Sequence, residues 1–206
     1  LKSPSTANPR GVVPQTSFKV PEGELRLPEF YDTVRALDQV VEVDYYLPGC
    51  PPTPKRIAEA VGAIAKGSLP PKGSVLGPEK SVCDECPRKK EEKKISKIYR
   101  VYEIVPQPEK CLLEQGIICL GPATRGGCEA QCISANMPCT GCGGPCPKTI
   151  EQGAAMISAL ASIMGLDEEK EKEFNPQKLI EQVKDPLGTF YRYSLPSSIL
   201  RRRVKE

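Results

Sequence analysis

Nine of the ten cysteines in this 206-residue chain lie between Cys83 and Cys146. They run Cys83-x-x-Cys86, Cys111, Cys119, Cys128, Cys132, Cys139-x-x-Cys142 and Cys146. Thiols this dense bind iron–sulfur clusters, bind zinc or form disulfides. The tenth, Cys50, stands apart in Gly49-Cys50-Pro51-Pro52.

The chain has no histidine, which removes imidazole bases, Ser-His-Asp triads, Cys-His pairs and the Cys/His zinc classes together. Any metal is held by sulfur or oxygen. A net charge of +3, with both signs mixed along the chain, does not point to nucleic acid. Residues 1–6 carry no apolar signal region, and no run of about eighteen apolar residues marks a membrane span. A cytoplasmic setting follows as the expectation, and in a reducing compartment clustered cysteines more often mean metal than disulfide. Tryptophan is absent and aromatics make up 5% of the chain, so the apolar core is thin and an inorganic nucleus would replace missing packing.

Residues 1–28 are proline-rich and without period, and read as extended surface chain against a partner or the body of the protein. Phe30, Val34, Leu37 and Val40 recur at helical spacing and predict a helix over Glu29–Val40. Val41–Tyr46 alternates as a strand. Thr53 is a candidate N-cap with Pro54 at the first helical position, and the spacing predicts a helix over Pro54–Ala65 with Ile57, Val61 and Ile64 inward. Helix, strand, cysteine-bearing turn and helix make half of an open α/β sheet, with Cys50 at the carboxyl end of a strand, where such sheets place ligands. Ser68–Lys80 reads as a Gly/Pro linker. A strand is expected at Ile98–Ile104, a helix at Lys148–Met164 with Ile150, Ala154, Ile157 and Leu160 on one face, and a short helix at Pro176–Val183. The charged run Arg88–Lys94 and the Arg201–Arg203 tail read as solvated surface.

Turn residues dominate after Gly116, so short loops can bring several sulfurs onto one inorganic core. Zinc is the alternative. Its ribbons separate two C-x-x-C pairs by about 15–20 residues. Here the 52 residues Pro87–Pro138 intervene, and five further cysteines would go unexplained. At four cysteines per cluster, eight of the nine serve two clusters and one is left over.

At this point the chain resembles a family. Pro48-Gly49-Cys50-Pro51-Pro52, Cys111-Leu112-Leu113-Glu114-Gln115-Gly116, Cys119-Leu120-Gly121-Pro122-Ala123-Thr124-Arg125, Gly127-Cys128 and Pro138-Cys139-x-Gly141-Cys142 resemble the small electron-transferring subunits of nickel–iron hydrogenases. The nearest branch is the methyl-viologen-reducing, deazaflavin-nonreducing hydrogenase, whose small chain serves heterodisulfide reductase. The Gly-Cys-Pro-Pro motif is shared more widely, including with a complex I subunit, whereas the full cysteine order is specific.

The resemblance implies an α/β chain: the C-terminal part of a flavodoxin-like domain (1–75), a ferredoxin-like domain with two 4Fe–4S clusters (76–147), and a C-terminal helix and tail (148–206). It implies that Cys83, Cys86, Cys111 and Cys119 hold a distal cluster, Cys83 standing where standard hydrogenases carry histidine. Cys128, Cys132, Cys139 and Cys142 would hold a medial cluster. Cys50 would be the last ligand of a third, proximal cluster whose other ligands are not in this sequence. Cys146 is then extra, and sequence order leaves the pairing between the quartets open. The family's upstream C-x-x-C segment is absent, so Leu1-Lys2-Ser3-Pro4 reads as the continuation of a preceding segment. The implied partners are the nickel–iron large subunit and an electron-accepting iron–sulfur or flavin protein of heterodisulfide reductase type. A stand-alone ferredoxin-type carrier and a complex I-like subunit are the alternatives.

Overall fold

A computed structural model describes residues 9–10, 15–28, 34–91, 94–164 and 181–200. It is mixed α/β, with two small sheets at the N-terminal side and one apolar core at the cysteine-rich side.

The proline-rich start is not wholly extended. β1 (Ser17–Val20) and β2 (Gly23–Arg26) form an antiparallel hairpin, with Val20 paired to Gly23 and Ser17 to Arg26. Pro21-Glu22 makes the turn, a proline signal the absence of longer periodicity masked. The helix expected over Glu29–Val40 does not form where it is described: Val34–Ala36 is non-helical and Leu37–Gln39 is a single 3-10 turn. Residues 29–33 lie outside the described residues. Val34, Leu37 and Val40 are exposed, so the apolar periodicity meets no packing surface, and a short helix without one is not stable.

The expected strand Val41–Tyr46 shrinks to β3 (Tyr45–Tyr46). Its parallel partner β4 (Ser74–Val75) lies within the segment expected as a linker. Pro70-Pro71 and Pro78 bracket β4 and remove the amide donors a longer ladder needs. Between the strands runs α1 (Pro54–Ala65), with the expected bounds. The Thr53 hydroxyl accepts from the Arg56 N–H at 3.4 Å, and Pro54 occupies the first turn. The face expected inward is the one left outside: Ile57, Val61 and Ile64 are 46%, 58% and 60% exposed. Periodicity shows that such a face wants covering and does not say what covers it.

From residue 81 onward the backbone is mostly irregular. A 3-10 turn, Val82–Glu85, is held at its start by Asp84, whose carboxylate accepts from the Ser81 N–H and hydroxyl, both at 2.7 Å. Further 3-10 turns cover Leu113–Gln115 and Gly121–Ala123. α2 (Gln131–Ser134) is one turn long and follows two left-handed residues, Glu129 and Ala130. Single bridges such as Lys89–Lys110 and Tyr99–Ile117 replace a sheet. The strand expected at Ile98–Ile104 is thus one bridge at Tyr99 followed by a turn over Val101–Glu103, where the Glu103 N–H returns to the Arg100 carbonyl.

α3 (Gln152–Ile163) starts later than its periodicity suggested. Lys148 has a left-handed φ of 66°, which a right-handed helix cannot accommodate. Glu151 caps the helix by accepting from the Ala154 N–H. The buried face is Gln152, Gly153, Met156 and Leu160, whereas Ile150 is fully exposed. Met156 and Leu160 join Leu112, Ile117, Leu120 and Phe190 in the core. Of the expected Pro176–Val183 helix, 176–180 lies outside the described residues and 181–183 is non-helical. A helix unforeseen from periodicity, α4 (Pro186–Phe190), packs against α3 instead. Asp185, accepting from the Gly188 N–H at 2.9 Å, and Pro186 at the first position were its sequence signals. Arg201–Arg203 lies outside the described residues. Among the described residues no helix is long and apolar enough to cross a membrane.

The α3–α4 contact depends on a missing side chain. A Cβ at Gly153 would stand 2.3 Å from the buried Tyr191 ring. Gly153→Ala should therefore destabilise the fold by about 1–3 kcal/mol through overpacking, outweighing the helical advantage of alanine. Thermal unfolding followed by circular dichroism checks this, and an unchanged midpoint would mean that the ring moves aside freely.

Candidate metal centres

The core encloses sulfur as well as carbon. Cys83, Cys86, Cys111 and Cys119 line one cavity of about 340 Å³. Cys83 sits within the Val82–Glu85 turn and Cys86 ends it. Cys111 is placed by its N–H bond to the Lys89 carbonyl (2.8 Å), beside the Lys89–Lys110 bridge. Cys119 lies two residues before the Gly121–Ala123 turn. A Cβ at Gly121 would stand 3.1 Å from the Cys83 sulfur and 3.7 Å from the Cys119 sulfur, so a larger residue there would press on the Cys83 sulfur.

A second cavity, of about 310 Å³, is lined by Cys128, Cys132, Cys139 and Cys142, and also by Cys50. Cys132 comes from α2, Cys139 and Cys142 from the loop ahead of α3, and Cys50 from the turn after β3. Cys50 and Cys132 are solvent-exposed, while Cys119 and Cys139 are buried. The cavities adjoin: the Cys139 N–H donates to the Cys119 sulfur at 3.3 Å, and the Leu120 N–H donates to the Cys139 carbonyl at 2.9 Å. Cys146 lines neither cavity. Its buried thiol donates to the Pro122 carbonyl at 3.3 Å.

Three polar side chains that the sequence pattern did not mark hold these loops. Gln152, buried at the start of α3, donates from Nε2 to the Gly141 carbonyl (3.0 Å), the Gly144 carbonyl (3.1 Å) and the Thr124 hydroxyl (3.1 Å). It ties the Cys139–Cys142 loop to the body. Glu85 accepts from the Gly127 N–H (2.7 Å) and the Glu129 N–H (2.9 Å), on either side of Cys128, and pairs with Lys80 at 3.2 Å. Burial would raise its pKa, but these amides and Lys80 outweigh burial and leave it below the usual carboxylate range. The third is Arg88, expected in a solvated run but only 7% exposed. Lys89, Lys90 and Glu91 beside it are exposed, as expected, and residues 92–93 lie outside the described residues. No periodicity announces such groups. The available signal was position, since Glu85 and Arg88 flank Cys86.

The thiols' acidity reports their surroundings. Burial pushes Cys83 up to about 11, against the opposing pull of Lys90. Burial also pushes Cys119 up to about 11, against the Gly121 and Cys139 N–H groups. Cys139 is pushed up to about 12 by burial, against the Gly141 N–H and the Thr124 hydroxyl. The donors aimed at Cys119 and Cys139 favour a thiolate that the metal-free protein does not form at neutral pH.

All ten cysteines are free thiols, so no disulfide framework is present. Among the described residues no three Cys, Asp or Glu side chains come close enough to share one metal ion. A zinc ion holds its sulfurs at about 2.3 Å, hence within about 4 Å of one another. In a 4Fe–4S core each thiolate takes its own iron, which asks for wider spacing around an enclosed space. Four thiols around one cavity and five around the other, with amide donors aimed at sulfur, are compatible with such a group.

Metal binding requires thiolates, so loading metal-free protein with iron and sulfide at pH 8 should release on the order of one proton per ligating thiol. The sign follows from the raised pKa values of Cys83 and Cys119: these two thiols are protonated below about 11, so their loading weakens as pH falls. An indicator dye measures the release beyond the one proton that each hydrosulfide loses on becoming cluster sulfide, and no such excess would mean that the thiolates are preformed. Gln152→Leu should cost about 1–3 kcal/mol by removing three buried hydrogen bonds, to the Gly141 and Gly144 carbonyls, which keep their backbone donors, and to the Thr124 hydroxyl. It should lower iron retained at the Cys139–Cys142 loop, read as iron per chain, with the other cavity still loaded.

No family model matches the chain. It is 44% identical over 209 residues to the iron–sulfur G subunit of the F420-non-reducing hydrogenase of Archaeoglobus profundus, covering 99% of this chain and 63% of that protein. It is 38% identical over 209 residues to the F420-non-reducing hydrogenase G subunit of Methanothermobacter marburgensis, again covering 63% of the relative. It is 45% identical over 124 residues to the like-named protein from Methanothermus fervidus, covering 59% of this chain and 96% of that one. The chain thus spans a little under two thirds of the length of the first two relatives.

Proposed function

The chain belongs to the family of F420-non-reducing hydrogenase G subunits, and from that premise we propose that it is an electron-relay subunit carrying two 4Fe–4S clusters. The observation that carries this reading is the pair of adjoining cavities, each lined by four of the cysteines between Cys83 and Cys142. In it Cys83, Cys86, Cys111 and Cys119 are the ligands of the distal cluster, and Cys128, Cys132, Cys139 and Cys142 those of the medial one. Cys146, which lines neither cavity and whose thiol donates to the Pro122 carbonyl, takes no ligand role. A 4Fe–4S cluster supplies one-electron redox chemistry at a potential set by charge, hydrogen bonds to sulfur and solvent exposure.

The chain's own contribution is positioning and insulation. Leu112, Leu113, Ile133 and Ile163 wall the distal cavity against water. The amides of Gly121, Cys139 and Gly141 are aimed at ligand sulfurs. The Cys139 N–H to Cys119 sulfur bond joins the two ligand sets by one hydrogen bond. Cys50, on the turn after β3 and at the rim of the medial cavity, suits a ligand of a third cluster shared with residues outside this sequence. The β3–α1–β4 unit supports reading 1–75 as the end of a flavodoxin-like domain, and the loop-borne thiols support a ferredoxin-like domain over 76–147. Residues 148–206 add α3, which supplies Gln152, and the tail. The partners in this reading are a nickel–iron hydrogenase large subunit and an electron acceptor of heterodisulfide reductase type. The exposed Ile57, Val61 and Ile64 face suits a protein neighbour.

The test is anaerobic purification of the native complex with analysis of subunits, iron and acid-labile sulfide. About eight iron atoms attributable to this chain's two quartets are expected. Cys139→Ser should remove one cluster signal and stop electron transfer past it, while hydrogen–deuterium exchange at the partner's nickel–iron site continues. Iron-free protein, or a Cys139→Ser complex with both signals undisturbed, would reject the ligand assignment.

A further inference from the structure

Arg88 is a buried cation without a counter-ion. Its Nη1 donates to the Gln107 carbonyl (2.7 Å) and the Lys110 carbonyl (3.0 Å), and its Nη2 to the Ile133 carbonyl (3.2 Å) and the Asn136 side-chain oxygen. Every one of these acceptors is neutral. Among the described residues no carboxylate pairs with it. Its Nε is buried and has no acceptor among the described residues. A guanidinium stays protonated at any working pH, so the charge cannot be shed as a buried lysine's can. An unpaired buried charge is strongly destabilising, and a buried N–H donor without an acceptor adds to that cost.

The same side chain lines the cavity of Cys83, Cys86, Cys111 and Cys119. The remaining charged groups lining it are Lys90 and Lys94, both exposed, and Glu114, half-buried and accepting from the Glu91 N–H. Water screens the two lysines more than it screens a buried guanidinium. A 4Fe–4S core with four thiolates is net negative in either redox state, and more negative by one charge when reduced. Such an anion would give Arg88 the counter-charge it lacks, and would offer sulfur acceptors to an Nε that has none.

We infer that Arg88 is the built-in counter-ion of the distal cluster, its Nε–H donating to a cluster or thiolate sulfur, and that it raises this cluster's reduction potential relative to the medial one. The inference rests on the distal ligand assignment made above. A fixed cation beside an anion that gains charge on reduction stabilises the reduced form more than the oxidised form. Arg88 acts through the ligands' surroundings and is not itself a ligand, which makes it a positioning and tuning residue.

The experiment is a redox titration of the intact complex followed by electron paramagnetic resonance, with the distal signal identified as the one lost in Cys111→Ser. Arg88→Gln should keep the iron content. It should lower the distal reduction equilibrium at least tenfold, which is about 59 mV for a one-electron couple, with the medial signal in place. Arg88→Lys, which keeps the charge, should shift it by less than half as much. Equal potentials in wild type and Arg88→Gln, or equal shifts in the two variants, would overturn the inference. Wild-type complex labelled with 15N at arginine Nε provides a measurement independent of variant folding. Pulsed resonance should detect nitrogen coupling in the distal signal, and its absence would overturn the contact. If Cys111→Ser removes no signal, the ligand assignment fails, a result distinct from failure of the tuning role.

Discussion

Nine thiols, eight of them from the cysteine-rich half, line two adjoining cavities beside a small apolar core, and the rest of that half is arranged around them. Burial keeps several of them protonated in the metal-free protein, with Cys83 and Cys119 at about 11 and Cys139 at about 12. Backbone amides nevertheless point at Cys119 and Cys139, favouring the ionised form. A site whose burial disfavours the thiolate while its donors favour it is organised for a charged occupant.

Regular secondary structure contributes little to holding the loops. Isolated bridges and 3-10 turns bring the cysteines near one another, and individual polar side chains close the arrangement. Gln152 reaches back from α3 to the Gly141–Gly144 loop, Glu85 brackets Cys128 through two amides, and Arg88 gathers the carbonyls of residues 107, 110 and 133. Each joins segments distant in sequence, so cavity and fold are stabilised by the same bonds.

The N-terminal half differs. β1–β2 is an exposed hairpin, β3–β4 a two-residue ladder, and α1 turns its apolar stripe outward. Its connection to the cysteine-rich core includes the Lys55–Glu129 pair at 2.7 Å, a surface ion pair that contributes little by itself, and Cys50, which lines the cavity of Cys128, Cys132, Cys139 and Cys142. That arrangement suits a segment completed by a protein neighbour, and it accounts for the failure of packing-based expectations there.

The sequence by itself determined whatever local chemistry dictates. The absence of histidine leaves sulfur and oxygen as the side-chain donors open to a metal, and Thr53-Pro54 set the start of α1. Tertiary structure decided what depends on distant partners. It placed α1's apolar face outside, cut the Val41–Tyr46 strand to two residues, rotated the buried face of α3 to Gly153 and Met156, and drew Arg88 from a charged run into the core. Periodicity records that a face or a charge needs a partner, whereas only the folded chain settles which partner it meets, because that contact free energy belongs to pairs of residues far apart in sequence.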